Sequence, residues 1–357
     1  MAFRSERPGI RKNCSTNLLW FVLLSLLIIT GAGAILLPAG CGSPDPDPDP
    51  ADSRAGEIPV TVSVGINNSL KSIPIVIARE KGFFAENGLS VSLTKTESAV
   101  PLLQMMGEGT LDLICTPEQL LAFRALKQQD FRILAVLNRN QSQELVMNTA
   151  TGVHAVTDLK GRRIGLKMNS AAPYFLYRLL LYHHLALDDV ELVGMELEEM
   201  PEQMATGKID AAIAWPPHTV LIRQALEKNV YTVNAHMGRD MYWVLAARTA
   251  WSDDHIPALR AFLNALQSAF SFMADSPQES MTIASSYFGF PPDRVQREWE
   301  TYHFKLELPQ SLLFAMEQEA CWRQRLRGRK EAPPDFFALV ECRPMKKLCP
   351  DTVTMIH

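Results

Sequence analysis

From residue 58 onward, apolar positions recur with two alternating periods. VTVSVGIN (60–67) and LSVSLTK (89–95) alternate β-branched or apolar residues with polar ones, the period of a strand buried on one face. IPIVIAREKG (73–82) and AVPLLQMMGEG (99–109) space their apolar residues for helices, and each ends on a glycine suited to a helix stop. Phe83 and Phe84 read as core plugs, and Asn87-Gly88 as the turn into the next strand. LDLIC then gives a buried strand, TPEQ (116–119) the start of a helix with Thr116 as its cap, and FRILAVL (131–137) another strand.

The second half repeats the recipe. GRRIGLK (161–167) predicts a strand, AAPYFLYRLLLYHHLAL a long helix, VELVG (190–194) a strand, EEMPEQMATG a helix and IDAAIAW a buried strand. Two βαβαβ units follow, each a twisted, mainly parallel sheet covered by helices. GTLDLICTPEQ (109–119) and GKIDAAIAWPPH (207–218) write one pattern twice: glycine, any residue, an aliphatic, aspartate, an apolar run, proline. Their separation of about a hundred residues is domain spacing, which assigns Asp112 and Asp210 to architecture, bonding turn amides after the helix stop. Connections near 141–151 and 233–247 would join the lobes by two strands, a geometry that permits hinge closure. The tail from Ser252 reads as nearly all helical, with Ser252 and Ser276 as N-caps, a capping box from Ser276 to Glu279, and FPPDRVQREWETYHF as one helix.

The N-terminus differs in kind. Arg4, Arg7, Arg11 and Lys12 precede an apolar run over 18–37 and the small-residue ending LPAGC, which marks an export signal resembling the lipobox of bacterial lipoproteins. Residues 1–41 are read as a lipoprotein signal peptide with Cys41 as the lipidated residue, although a run of about 20 apolar residues also suffices to span a bilayer uncleaved. SPDPDPDPADS follows; alternating proline and aspartate make 42–57 a stiff, self-repelling spacer. The body divides into 58–145 (first lobe, first part), 146–239 (second lobe) and 240–357 (first lobe, second part with a helical tail).

Composition narrows the partners. A chain of 357 residues with 47% hydrophobic content can bury two cores. Net charge −4 and a pI near 6.1 supply no basic field, which excludes nucleic acid as a partner. Outside the cytoplasm disulfides persist, so pairing among Cys321, Cys342 and Cys349 is expected, while Cys115 in its apolar strand reads as buried and inert. No cysteine spacing suits a metal. His183 and His184 diverge by about 100° on a helix and cannot chelate one ion as an i, i+4 pair does. GxSxG, HExxH and Walker glycine loops are absent from the sequence, so neither a catalytic residue nor a cofactor is assigned.

Four stretches in this order, IAREKGFFAENGLSVSL (77–93), MGEGTLDL, VTDLKGRRIGLK (156–167) and GKIDAAIAWPPH, resemble the extracytoplasmic solute-binding proteins of ABC importers. The similarity is to the branch that takes up nitrate, taurine and alkanesulfonates, or pyrimidine precursors of thiamine. It runs from residue 58 to about 328; the segment after Gly328 has no counterpart. The resemblance implies an α/β, two-lobed periplasmic binding protein-like fold (type 2), with a two-strand hinge and the ligand in the cleft between lobes, where doubly wound sheets also bind on physical grounds. Candidate ligand residues are Asn67, Asn68 and Ser69 after the first strand, where free amides suit an anionic head or simply begin a helix. Thr116 and Glu118 follow the first closing strand, Asn169 and Ser170 precede the second lobe's long helix, and Trp215 ends the second closing strand to stack on a ligand or pack in the core. Tyr242 and Trp243 read as hinge packing, and Lys167 as an anion partner or a solvated strand end. The function implied is a lipid-anchored, monomeric binding component presenting a small polar or anionic organic solute to an ABC permease in the cytoplasmic membrane. The alternatives are a solute sensor docking on a receptor and a pyrimidine-synthesis type enzyme of the same fold.

Overall fold

The chain as described by the computed structural model, residues 59–355, opens with β1 (Val60–Asn67), α1 (Ile73–Glu80), α2 (Phe83–Glu86), β2 (Leu89–Thr96), α3 (Val100–Gly107), β3 (Leu113–Pro117), α4 (Glu118–Ala125) and β4 (Phe131–Asn140). It crosses into a second lobe made of β5 (Glu144–Asn148), β6 (Arg163–Leu166), α5 (Ala172–Tyr182), β7 (Glu191–Gly194), α6 (Met200–Ala205), β8 (Ala211–Ala214), α7 (His218–Leu226) and β9 (Val230–Asn234). The return adds β10 (Met241–Arg248), α8 (Thr249–Asp254), α9 (Ile256–Asp275), α10 (Pro277–Phe288), α11 (Pro292–Trp299), β11 (Tyr302–Glu307), α12 (Gln310–Leu326) and α13 (Arg343–Leu348). The signal segment, Cys41 and the proline–aspartate spacer lie outside the described residues.

Two mixed sheets result, ordered β11-β4-β10-β3-β1-β2 and β7-β6-β8-β5-β9. In each, three strands run parallel (β2-β1-β3 and β7-β6-β8) and an antiparallel strand flanks the third (β10 beside β3, β5 beside β8). Every residue of β3 and β8 is buried, which is why both read as continuous apolar runs. The antiparallel pair β4/β10 continues across the lobes as β5/β9, with Ala235 N donating to Gln143 O at 3.0 Å in the crossing. That pair of connections is the two-strand hinge.

The echoed motif has one structural meaning in both lobes. Gly109 (φ +80°) and Gly207 (φ +65°) adopt left-handed backbone after α3 and α6, a conformation that costs glycine nothing. The following aliphatic packs on a glycine of the neighbouring parallel strand: a Cβ at Gly65 would stand 2.6 Å from Leu111 Cδ1, and one at Gly165 2.5 Å from Ile209 Cδ1. The aspartate then bonds that same strand two residues earlier. Asp112 N donates to Ser63 O (2.9 Å) while Asp112 Oδ2 accepts from Ser63 N (3.0 Å). Asp210 N donates to Arg163 O (2.8 Å) while Asp210 Oδ2 accepts from Arg163 N (2.9 Å). Both aspartates are therefore architectural, but they fasten the adjacent strand rather than turn amides.

Other expectations shift. FPPDRVQREWETYHF is not one helix: α11 ends at Trp299, and β11 pairs antiparallel with β4 at the sheet edge. Tyr302, Phe304 and Leu306 alternate inward, a period-two signal that the helix-rich surroundings masked, and β4 offered an edge for it to pair. The long helix of the second lobe stops at Tyr182, with His184 at φ +60°. Thr116 stays inside β3 and Pro117 occupies the cap position without a side-chain bond; Ser276 likewise caps nothing with its hydroxyl. Cys115, Cys321, Cys342 and Cys349 are all free thiols, so the expected disulfide is not formed. The segment beyond Gly328 packs on the first lobe, burying Phe336, Leu339 and Met345 and bridging Val340 to Ile133.

Candidate functional site

Among the described residues, the carboxyl ends of six parallel strands meet at one cleft of about 520 Å3, lined by residues that end or soon follow them: Asn67, Glu97 and Pro117 from the first lobe, Lys167, Leu197 and Trp215 from the second. The hinge adds Ser142 and Gln143, and the returning chain adds Trp243, Phe290, Arg294, Glu298 and Tyr302. The cleft brings together Asn67, Asn68, Ser69, Asn169, Ser170 and Trp215. Ser69 and Ser170 also bond backbone locally, Ser69 Oγ accepting from Lys71 N (3.3 Å) and Ser170 Oγ from Ala172 N (3.1 Å). Asn67, 8% exposed, accepts from the Ser72 hydroxyl at 3.2 Å.

Thr116 and Glu118 do not line the cleft. Thr116 is fully buried inside β3 opposite Val244. The Glu118 carboxylate turns into the core, accepting from Tyr242 N (3.1 Å) and lying 3.4 Å from Arg239 NH2, which also binds Glu319 at 2.8 Å. Burial, reinforced by Glu319, pushes the Glu118 carboxyl well above its usual range. The strand that leads to this glutamate is buried on both faces, so the next turn begins under the surface, and from it Pro117, Gln119 and Leu120 reach the cleft.

Several cleft residues carried no sequence signal. Gln119, Gln143 and His218 are among these, and together with Asn68 and Trp243 they hold five buried polar atoms without a hydrogen-bond partner among the described residues: Asn68 Oδ1, Gln119 Nε2, Gln143 Oε1, His218 Nδ1 and Trp243 Nε1. Buried polar groups are nearly always bonded, so such a concentration marks a place where something else supplies the partners. A groove of equal volume on the outer face of the first lobe, around Pro59, Arg79 and Phe84, contains none of these orphaned atoms. Trp243, read from sequence as hinge packing, faces the cleft and carries the Lys71 ammonium 4.7 Å from its ring; the Tyr302 ring also stands 5.5 Å from that ammonium.

The charges in the cleft are mostly spent on one another. Lys167 pairs with Glu196, Arg294 Nε with Glu298 Oε1 (2.7 Å), His218 Nε2 with Glu198 Oε1 (3.3 Å), and Asn68 Nδ2 donates to Glu97 Oε2 (3.3 Å). Burial holds the His218 imidazole below its usual pKa, against the pull of Glu198. Lys71 differs: its Nζ has no hydrogen bond or ion pair to a described residue, and burial lowers its pKa to about 8 despite Glu298 nearby. A polar or anionic group with a flat body would meet donors from Lys71, Gln119 and Trp243, acceptors from Asn68 and Gln143, and aromatic faces from Trp215 and Tyr302. Among the described residues no group of His, Cys, Asp and Glu is arranged to hold a metal.

Residues 69–280 match the family model described as NMT1/THI5 like. The chain belongs to the NMT1/THI5-like family. A relative from Haemophilus influenzae, provisionally named as a thiamine biosynthesis protein, is 27% identical over 223 residues, 60% of this chain and 68% of that protein. Solved structures of similar fold include the periplasmic aliphatic sulphonate binding protein SsuA of Escherichia coli, with TM-score 0.68 and 15% identity over 80% of this chain and 98% of SsuA. The periplasmic nitrate-binding protein NrtA of Synechocystis PCC 6803 has TM-score 0.60 and 15% identity over 82% of this chain and 89% of NrtA. The desulfurization enzyme DszB shares the fold as well, with TM-score 0.58 and 13% identity over 82% of this chain and 99% of DszB. At these identities the structures share the fold with this NMT1/THI5-like chain, a periplasmic binding protein architecture. What occupies the cleft is a question for its own residues.

Proposed function

We propose that this protein is a solute-binding receptor which captures a small polar or anionic organic molecule between its lobes and presents it to an ABC importer. It would do so from an extracytoplasmic position, tethered through a lipid on Cys41. The observation that carries the proposal is the set of orphaned polar atoms converging on the interlobe cleft. Donors and acceptors stand together with Trp215, Trp243 and Tyr302, which favours a ring or short chain with a polar edge, sulfonate-bearing or pyrimidine-like, over a bare inorganic ion. The volume agrees, since about 520 Å3 falls in the range of small-molecule sites. Asn67, Asn68, Ser69, Asn169, Ser170 and Trp215 would contact the ligand.

A thermal-shift panel of sulfonates, nitrate, pyrimidines and flavins tests the proposal. A true ligand at a hundredfold excess over its dissociation constant adds about 2.7 kcal/mol to stability. Flat melting curves across the panel would sink it. The biosynthetic name of the Haemophilus influenzae relative and the fold of DszB make one further control necessary: a ligand recovered chemically altered after incubation would replace binding by catalysis. Co-purification with a permease and ATPase would separate an importer component from a sensor.

A further inference from the structure

Among the described residues lining the cleft, one cationic side chain makes no hydrogen bond or ion pair to the protein. Lys71 lies in the turn after β1, its carbonyl oxygen fixed by the Asn138 side-chain amide at 2.7 Å and its ammonium within reach of both the Trp243 and Tyr302 rings. Glu298 is the one charge that acts on it, favouring the ammonium against burial, without bonding it. Glu298 and Arg294 on α11 bond each other, and the Tyr302 hydroxyl on β11 donates to Glu298 Oε2 at 3.2 Å. Strands β4 and β10 present the neutral Asn138 and Trp243, and α1 carries Arg79 and Glu80 only in its last turn. On the neighbouring strand β3, the Cys115 thiol is pushed up to about 12 by burial and stays protonated. Across the cleft, Lys167 and His218 are each paired with a glutamate of their own lobe.

We propose that Lys71 is the specificity-determining anion site of this cleft, and that capture of an anionic ligand is coupled to the protonation of its amine. Two aromatic faces stabilise the ammonium but cannot hydrogen-bond to it, so its three donors are free for an incoming oxyanion, with the Trp243 indole N–H unpaired beside it. An anion bound there favours the charged form, and by linkage the charged form binds the anion. Burial already brings the ligand-free amine to about 8, so the coupling falls within an accessible pH window. Affinity is full below that value and declines by about tenfold per pH unit above it, until the pKa of the bound state is reached. This inference rests on the anionic-solute proposal above and adds to it the residue and the proton.

Two measurements on the full-length protein in mild detergent test it. In the first, without ligand, limited acetylation across pH 6.5–10.5 is read at each lysine by mass spectrometry; Lys71 should show a midpoint near 8, well below the value of about 10.4 for a free lysine side chain. In the second, methanesulfonate and nitrate are titrated against tryptophan fluorescence over the same range. Binding should weaken above pH 8 in the wild type, drop tenfold to a hundredfold at pH 7 in Lys71→Met, and persist without pH dependence in Lys71→Arg, whose guanidinium stays charged. A Lys71 midpoint near 10, or anions bound equally by Lys71→Met and at pH 9.5, overturns the proposal alone. A midpoint near 8 with neither anion bound at any pH overturns it together with the anionic-solute reading of the cleft.

Discussion

Replacing Arg239 by methionine should destabilise the protein more than any ordinary surface substitution. Its guanidinium lies in the segment that returns the chain from β9 to β10, 10% exposed, between Glu118 and Glu319 whose side chains are 0% and 1% exposed. Tyr174 and Phe175 of the second lobe lie against it, with ring centroids at 5.0 and 5.4 Å. Burial opposes the arginine's charge, but the two carboxylates more than offset that and hold it ionised. Removing it leaves two carboxyls in the core without their cation, and breaking a buried pair in this way costs about 3–5 kcal/mol. At 2–4 °C per kcal/mol for a chain of this order, the melting temperature should fall by about 10 °C at pH 8. The pH dependence has a definite sign. Burial raises both carboxyls above their unfolded values already in the wild type, and loss of the arginine raises them further. The folded variant then binds protons that the unfolded chain does not hold, so its stability increases as pH falls from 8 toward 5. The triple variant with Glu118→Gln and Glu319→Gln should recover at least half of the loss. Calorimetry at pH 8 and pH 5.5 measures both effects. A loss under about 1 kcal/mol at pH 8, or no gain on acidification, would refute the buried-charge account.

Asp210→Ala should cost about 1.5–3 kcal/mol in urea denaturation at pH 7, because it removes a charged acceptor of both Arg163 N and its guanidinium. Burial works against ionisation of Asp210, yet Arg163 holds its carboxyl below the usual value, so the penalty should shrink as pH falls through that depressed pKa; a penalty constant down to pH 2 counts against the clamp. Gly165→Ala, whose new methyl would meet Ile209 Cδ1 at 2.5 Å, should destabilise by about 1–3 kcal/mol in the same assay. Trp215→Ala should weaken binding of whichever panel ligand shifts the wild type by at least about tenfold, and unchanged affinity removes that residue from the site. Cys41→Ser should abolish incorporation of labelled palmitate; membrane retention of a wild-type protein that takes up no label would instead indicate an uncleaved helix.

Much of this molecule was legible from local pattern. Strand VTVSVGIN is β1 to the residue, because a β-branched run alternating with small polar residues leaves no competing conformation. The echo of GxLD in GxID located both buried strands and both helix stops. Of the cleft, the residues that terminate strands or open helices, from Asn67 to Ser69, at Asn169 and Ser170, and at Trp215, could be named because a strand's carboxyl end fixes where the next few residues go. Thr116 and Glu118 failed by the same logic applied one turn too deep, since the core closes over them.

The sequence by itself determined the two-lobed alternation, its doubled scaffold and its two crossings, all of which follow from hydrophobic period and from glycine and proline chemistry within a few residues. Tertiary structure alone decided that Lys71, Gln119, Trp243 and the α11–β11 corner share one cleft, and that Arg239 is gripped by glutamates from α4 and α12. Those groups are far apart along the chain and carry no period. Their roles depend on desolvation and on which partner is within reach, and both quantities exist only once distant elements have packed. The same applies to the aspartates of GTLDLICTPEQ and GKIDAAIAWPPH: spacing made them architectural, and only the neighbouring parallel strand showed what they fasten.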